Sequence, residues 1–103
     1  MQKTAEILKE RMRKTDVLGR WGGEEFIVIC ANTHLGESVI LGESIRKAIE
    51  EESFNIEGNY TVSIGISSVQ EDDEANCIIK RADENLYLAK SKGRNRVEPS
   101  FSL

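Results

Sequence analysis

The sequence of 103 residues lacks the features that mark several large classes of protein. Its two cysteines, Cys30 and Cys77, are too few for a disulfide-stabilised scaffold, and we expect both thiols to be reduced and buried. The longest purely apolar runs, such as 26–31, are far shorter than the ~20 residues of a membrane-spanning helix. The N-terminus has neither the apolar stretch nor the cleavage site of a signal peptide, so we expect a cytoplasmic protein.

A positive net charge is also missing. The chain has 14 basic and 18 acidic residues, a net charge of -4. This balance argues against nonspecific binding of nucleic acid, which relies on a basic surface. Hydrophobic residues make up 39% and charged residues 31% of the sequence, as is ordinary for one soluble globular domain with a modest core.

Hydrophobic periodicity predicts one α+β domain with an antiparallel-rich sheet, in the order helix, hairpin, helix, strand, helix. Helices are expected over 4–12, from an N-cap at Thr33 to about residue 52, and again up to a stop at Gly93. The residues expected to face the core are Leu35, Val39, Ile45 and Ile49 in the second helix and Ala75, Ile78, Ile79, Ala82, Leu86 and Ala89 in the third, where Tyr87 is also expected to pack.

The segment 60–67 is the clearest strand, because large and small residues alternate along it. Its two faces consist of Tyr60, Val62, Ile64 and Ile66 on one side and Thr61, Ser63, Gly65 and Ser67 on the other. The face of small residues is expected to let a helix or a ligand approach closely.

The most informative residues are Gly22-Gly23-Glu24-Glu25, between two β-prone runs at 16–21 and 26–30. Glycine adopts the positive φ that tight turns need, so the pattern predicts a hairpin. Two solvated acids at a turn are one interpretation. The other is a magnesium site, because Mg²⁺ prefers carboxylate oxygens and substrate phosphates and neutralises phosphates during nucleotidyl transfer. The motif alone leaves both open.

Three segments together resemble the GGDEF domain family of diguanylate cyclases, in the same order and at compatible spacing. They are RKTDVLGRWGGEEF at 13–26, which carries the signature in its Glu variant, VSIGIS at 62–67 and ADENLYLAKSKGRNRV at 82–97. The resemblance implies a ferredoxin-like, nucleotidyl-cyclase-like fold over 1–97, followed by a frayed tail over 98–103.

The resemblance also implies an activity, the condensation of two GTP molecules into cyclic di-GMP with release of pyrophosphate. Each subunit of a homodimer would present one GTP. By position, Glu24 would bind Mg²⁺ or Mn²⁺, and Glu25 would be a second acid near the metal or the attacking 3′-hydroxyl. Gly22 and Gly23 would lie against the nucleotide.

A basic cluster crowds the end of the last helix, comprising Lys90, Lys92, Arg94 and Arg96. Cations at a helix C-terminus are stabilising by ~0.3–1 kcal/mol each, which is explanation enough for such a cluster. In the family pattern, however, Lys90 and Arg94 match residues that contact the GTP phosphates. We expect these two to share a cavity with Glu24, and Lys92 and Arg96 to be solvated.

Arg13 and Asp16 form an R-x-x-D pair upstream of the hairpin. On its own the pair predicts a surface salt bridge worth at most ~1 kcal/mol. By resemblance it is the inhibitory site that binds cyclic di-GMP, since arginine and carboxylate groups can both recognise the guanine base. The position of a further arginine found in many family members is taken by Ser44, and Arg46 lies nearby.

The resemblance places Met1 inside the helix that precedes Arg13, so the family's first strand and helix are expected to be absent. That strand carries an acidic pair, a Phe-Lys and an Asn-Asp. We therefore expect the isolated chain not to make cyclic di-GMP. The missing strand is expected between the hairpin and the 60–67 strand, so its loss would expose strand edges and favour self-association.

Three functional classes follow from the sequence. The first is a cyclase fragment, whose parent protein would carry an upstream sensor or receiver domain and any membrane anchor. The second is a degenerate module that senses cyclic di-GMP through Arg13 and Asp16. A purely structural interaction domain is the third, and the intact acidic motif disfavours it.

Overall fold

The computed structural model describes residues 2–22, 24–31, 34–55, 61–69 and 73–99. These ranges contain three helices and four strands, in the order α1 (Gln2–Arg11), β1 (Asp16–Gly22), β2 (Glu25–Cys30), α2 (Leu35–Asn55), β3 (Ser63–Ser68), α3 (Ala75–Ser91) and β4 (Val97–Glu98). The predicted order of helix, hairpin, helix, strand and helix is confirmed, and β4 is an additional strand. The predictions for Gly23, Thr33 and Tyr60 fall outside the described residues.

The four strands form one mixed sheet in the order β1-β2-β3-β4. The hairpin pair β1–β2 is antiparallel, whereas β2–β3 and β3–β4 are parallel, so the expectation of an antiparallel-rich sheet is wrong for the described strands. No gap separates the hairpin from β3, because Phe26 pairs with Ile64 and Val28 with Ile66. This direct pairing removes the unpaired edges on which the expectation of self-association rested.

The main core lies between one face of the sheet and the helices α1 and α2. Along β2 and β3, side chains alternate between the two faces of the sheet, as the strand geometry requires. The fully or almost fully buried residues of this core are Ile7, Leu8, Phe26, Val28, Cys30, Ile45, Ile49, Val62, Ile64, Ile66 and Val97. Burial of this set supplies most of the hydrophobic stabilisation of the domain.

Helix α3 covers the opposite face of the sheet through a narrow stripe of side chains. Ala82 and Leu86 pack on Ile27, and Ala89 is also buried. At Gly65 the backbone of α3 lies directly on β3, since an added Cβ would meet Leu86 N at 2.3 Å. The prediction that the small-residue face of this strand admits a helix is therefore confirmed.

Two hydrogen bonds fix α3 along β3. Asn85 Nδ2 donates to the carbonyl oxygen of Ile66 at 2.8 Å, and Arg81 Nη2 donates to that of Ser68 at 3.0 Å. Arg81 also forms a salt bridge of 2.7 Å with Asp73, just before the helix. Because these bonds satisfy polar groups at the helix–sheet interface, they fix where α3 lies along β3 as well as its distance from the sheet.

The inner faces predicted for α2 and α3 include residues that are exposed in the structure. Ala75 and Cys77 are exposed, and so are Leu35, Ile79 and Tyr87, the last with 69% of its surface accessible. In α3 the close approach at Gly65 admits only the stripe of Ala82, Leu86 and Ala89, so neighbouring positions face away from the sheet. The expectation of a buried Cys77 and a packed Tyr87 is wrong for this reason.

The C-terminal segment differs from the expected tail at its first residue. Glu98, assigned to a tail over 98–103, lies in β4 opposite Gly65 and is 2% exposed. Residues 100–103 fall outside the described ranges. Within those ranges, no helix combines the length and the apolar character that crossing a membrane requires.

Replacement of Gly65 by alanine tests the contact between α3 and the sheet. The new methyl carbon would lie 2.2 Å from Ala82 O, so the helix backbone must shift. We expect Gly65→Ala to lower the free energy of unfolding by about 3 kcal/mol, near the upper end of typical overpacking costs. Urea denaturation followed by circular dichroism measures this loss.

Gly42→Ala in α2 is the matched control. There the added carbon meets only side chains, Ile66 Cδ1 at 2.5 Å and Val97 Cγ1 at 2.9 Å. A gain in helix propensity of up to ~1 kcal/mol offsets this contact, so we expect a change of about 1 kcal/mol or less. Equal losses in the two variants would contradict a backbone contact at Gly65.

Candidate functional site

The hairpin brings Gly22 and Glu25 side by side at the end of the sheet. The pairing of β1 with β2 is regular from Asp16 to Arg20 and shifts between Arg20 and Gly22, so that Gly22 pairs with Glu25. Such an irregularity increases the local twist and redirects side chains, and it is common next to functional sites. Arg20 steadies this end through Nε, which donates to Gly22 O at 3.1 Å, and its guanidinium lies 5.7 Å from the centre of the Phe26 ring.

The two glutamates of the motif point in different directions. Glu25 begins β2 and shares its face with Ile27 and Ile29, the face that α3 covers. Glu24 lies in the turn with an exposed side chain, and its backbone carbonyl accepts a hydrogen bond of 2.8 Å from Ser63 N. The hairpin therefore presents one carboxylate to α3 and one to solvent.

The end of α3 turns two cations toward the hairpin. Lys90 lies in the last turn, and the backbone then takes left-handed conformations at Gly93 (φ 120°) and Arg94 (φ 65°). Arg94 N donates to Ala89 O at 2.9 Å, which folds the chain back over the helix end. Lys90 and Arg94 consequently lie on the same side of α3.

Both cations contact Glu25. Lys90 Nζ lies 3.0 Å from Glu25 Oε1, and Arg94 Nη1 lies 3.9 Å from Glu25 Oε2. The Glu25 side chain is 26% exposed, so the group is accessible from solvent. Gly22 makes room for this carboxylate, because a Cβ there would lie 3.3 Å from Glu25 Oε2. The expected meeting of hairpin and cations is present, with Glu25 in the position expected for Glu24.

Lys92 and Arg96 have a different partner from Lys90 and Arg94. Lys92 Nζ lies 3.4 Å and Arg96 Nη2 3.3 Å from Glu98 Oε1, whose side chain is 3% exposed. A buried carboxylate needs such counter-charges, so these two cations compensate the burial of Glu98 in β4. The two side chains are solvated as expected, with 49% and 37% of their surface exposed, and they pair with Glu98 in addition.

Arg13 and Asp16 bind each other. Asp16 Oδ2 accepts a hydrogen bond of 2.8 Å from Arg13 N, and Oδ1 lies 3.6 Å from Arg13 Nη2. The Asp16 side chain is fully buried, while that of Arg13 is 52% exposed. Cys30 is next to Asp16: burial raises the pKa of the Cys30 thiol, a hydrogen bond with Ser38 opposes the rise, and the Asp16 charge adds to it.

The two residues considered for a further arginine contact also have partners. Arg11 Nη1 donates to Ser44 Oγ, which joins α1 to α2. Arg46 is only 17% exposed and pairs with Glu43 at 3.0 Å and Glu50 at 3.7 Å. Arg46 is therefore a structural residue of α2 and not a solvated one.

The glutamates of the hairpin fit one kind of metal site. Among the residues that the structure describes, no group of three or more His, Cys, Asp and Glu side chains could enclose an ion. Mg²⁺, however, usually retains several waters and binds through one or two carboxylates together with substrate phosphates. Glu24 is exposed and Glu25 is partly exposed, and because they point in different directions either one alone fits a phosphate-bridged Mg²⁺, whereas the two do not form an all-protein metal cage.

Comparison with known families identifies the domain. The family described as "Diguanylate cyclase, GGDEF domain" matches residues 1–96. The chain belongs to the GGDEF domain family. This membership confirms the resemblance found in the sequence and agrees with the mixed sheet and three helices of the structure.

Several curated relatives of this GGDEF domain are designated diguanylate cyclases. Diguanylate cyclase A of Treponema denticola is 44% identical over 94% of this chain, and diguanylate cyclase DgcM of Escherichia coli K12 is 39% identical over 90%. The response regulator PleD of Caulobacter vibrioides is 38% identical over 87%. The chain spans about a quarter of these relatives, 27%, 23% and 21% of their respective lengths.

One residue of the site was overlooked in the sequence. Asn95 has a left-handed backbone (φ 46°) directly after Arg94, and its side chain contacts both Arg46 and Glu50 of α2. The signal for it was the Gly-Arg-Asn sequence at the end of a helix, because asparagine tolerates left-handed conformations better than most residues. Its partners in α2 could not have been recognised without the fold.

Proposed function

We propose that this domain contributes to a diguanylate cyclase, which joins two GTP molecules into cyclic di-GMP. The observation that carries the proposal is the convergence of Lys90 and Arg94 on Glu25 beside Gly22. A hairpin carboxylate that meets two cations from the end of α3 suits a substrate that brings both phosphates and a divalent cation. Family membership supports the same assignment.

The proposed reaction is two successive phosphoryl transfers. In each, a ribose 3′-hydroxyl oxygen of one GTP forms a bond to the α-phosphorus of the other. The bond from that phosphorus to the pyrophosphate oxygen breaks, and the hydroxyl proton is released. Two GTP thus yield one cyclic di-GMP and two pyrophosphates, and negative charge moves onto the leaving group, where cations stabilise it.

Lys90 and Arg94 are the proposed phosphate ligands. Their ion pairs with Glu25 are partly exposed, and such pairs are worth only ~0.2–1 kcal/mol. A triphosphate with several negative charges can therefore displace the carboxylate. The two side chains would bind phosphate differently. The planar guanidinium of Arg94 can bind two phosphate oxygens at once, whereas the ammonium of Lys90 acts as a point charge.

Glu24 is the proposed ligand of Mg²⁺ or Mn²⁺, and Glu25 is the proposed second acid near the metal. When bound, the ion neutralises phosphate charge and polarises the phosphoryl oxygens. When phosphates bind Lys90 and Arg94, the Glu25 carboxylate would be released from these side chains. It would then be available near the metal ion. Glu25 also remains a proposed acceptor near the attacking hydroxyl, and Gly22 gives the nucleotide room at the hairpin.

The partners follow from the same proposal. Cyclisation requires two GTP molecules, one presented by each of two domains, so catalysis would occur in a homodimer. Of the relatives, PleD is designated a response regulator. We accordingly propose that the parent protein carries a receiver or other sensor domain that controls this pairing.

The alternative function, sensing of cyclic di-GMP through Arg13 and Asp16, has weaker support. The Asp16 carboxylate is fully buried and accepts from Arg13 N, so it would have to leave this bond to contact a guanine. The half-exposed Arg13 guanidinium is the more accessible group of the pair. A product contact through Arg13 is therefore proposed only as an adjunct to the cyclase.

Binding of inorganic tripolyphosphate without metal tests the two cations. At about 0.1 M salt, where charges beyond ~10 Å are largely screened, we expect Lys90→Ala to weaken the affinity about fivefold. Glu25→Gln should strengthen it about threefold, because the cations lose their internal competitor. Titrations followed by NMR of the ¹⁵N-labelled chain measure both effects.

Each variant has a matched control at a neighbouring position. Lys92→Ala removes an equal charge two residues away, on a side chain that pairs with Glu98, and Glu24→Gln alters the adjacent, exposed carboxylate. Both should change the affinity less than twofold. Equal effects of Lys90→Ala and Lys92→Ala would contradict a specific phosphate site.

Catalysis is tested with the chain alone and within a relative. We expect residues 1–103 as a separate polypeptide to form no cyclic di-GMP from GTP and Mg²⁺, because this polypeptide spans only about a quarter of the length of the relatives designated diguanylate cyclases. Replacing the matching segment of Treponema denticola diguanylate cyclase A with residues 1–96 should restore formation of the product. Chromatography with mass spectrometry quantifies it.

In the chimera, Glu24→Ala and Glu25→Ala should each reduce the rate at least a hundredfold, about the effect of removing one strong electrostatic group from an active site. Ser91→Ala, an exposed substitution at the end of α3, is the control. A folded chimera that binds GTP yet makes no cyclic di-GMP would refute the proposed function. Robust turnover by the separate polypeptide would refute its expected inactivity.

A further inference from the structure

The backbone after α3 adopts a conformation that most residues avoid. Gly93, Arg94 and Asn95 have φ values of 120°, 65° and 46°, three left-handed residues in succession. Glycine and asparagine tolerate this region, whereas a long side chain such as arginine does so at a cost. The surroundings must therefore hold Arg94 in place.

Asn95 supplies the anchor, because its side-chain amide is bound on both sides. Its Oδ1 accepts a hydrogen bond of 3.0 Å from Arg46 Nη1, and its Nδ2 donates to Glu50 Oε2. Arg46 and Glu50 lie one turn apart on α2 and pair with each other at 3.7 Å. The turn after α3 is thereby attached to a helix on the far side of the sheet.

The turn anchored by Asn95 also contains Arg94, the proposed phosphate ligand. Arg94 directly precedes Asn95. The Arg94 guanidinium extends from the end of α3 toward the hairpin, where its Nη1 lies 3.9 Å from Glu25 Oε2. On the other side, Arg96 O accepts from Ile64 N at 3.0 Å, which holds the start of β4 in the sheet. Arg94 is thus fixed between two attachments, the Asn95 amide and the β4 pairing.

We infer that Asn95, held by Arg46 and Glu50, is the positioning residue that aims Arg94 at the phosphates of the substrate. This inference rests on the proposed role of Arg94. Asn95 binds Arg46 and Glu50 through its side chain and, on the proposed function, does not contact the nucleotide. Its effect on binding is transmitted through the direction of the Arg94 side chain.

A double-mutant cycle on tripolyphosphate affinity separates positioning from a merely structural role. We expect Arg94→Ala to weaken binding about tenfold and Asn95→Gly about fivefold. Asn95→Gly retains a residue that tolerates left-handed backbone, so the variant keeps the turn and loses only the amide anchor. In the Arg94→Ala background, Asn95→Gly should change the affinity less than twofold.

The controls make each outcome decisive. Asn76→Ala alters an exposed asparagine at the start of α3 and should leave the affinity unchanged. Urea denaturation verifies that each variant is folded, and Asn95→Ala provides a second measurement of the lost anchor. If Arg94→Ala binds as tightly as the parent chain, the proposed phosphate site is wrong and the inference falls with it.

If Arg94→Ala weakens binding while Asn95→Gly does not, the phosphate site stands and the positioning role is overturned. Additive losses in the double variant would also overturn it, since Asn95 would then act independently of Arg94.

Discussion

The contact between α3 and β3 at Gly65 determines where the side chains of the candidate site lie. A helix seated on a strand without an intervening side chain has little freedom to slide, and the bonds from Asn85 and Arg81 fix its direction further. The last turn of α3 therefore ends beside the hairpin. Lys90 and Arg94 reach Glu25 because of this placement, which no local property of the hairpin could provide.

The site that results is held together by charges that are easy to exchange. Glu25 balances two cations in the free domain, but each pair is partly exposed and individually weak. Glu98, by contrast, is buried with its own two cations and belongs to the structure. The basic cluster at the end of α3 thus divides into Lys92 and Arg96, which pair with the buried Glu98, and Lys90 and Arg94, which pair with the exchangeable Glu25 and which we propose bind phosphate.

Local patterns in the sequence were sufficient for the hairpin, the helices and the small-residue face of β3, since turn glycines and alternation act over a few residues. They were insufficient for β4 and for the direct pairing of β2 with β3, which depend on contacts between distant segments. The strand register was required to tell which of Glu24 and Glu25 meets Lys90 and Arg94, because adjacent residues of a strand face opposite sides of the sheet. The expectation that Tyr87 packs is wrong because the close approach at Gly65 makes the contacting stripe of α3 narrower than the hydrophobic periodicity predicts.

Chemical cross-linking with a water-soluble carbodiimide tests the central contact most directly, since it joins amines to carboxylates only when they touch. Our account predicts an amide bond between Lys90 and Glu25, identified by tandem mass spectrometry of the digested chain. Lys90 joined to Glu24 or to other carboxylates, with no link to Glu25, would contradict the placement of α3 over the hairpin.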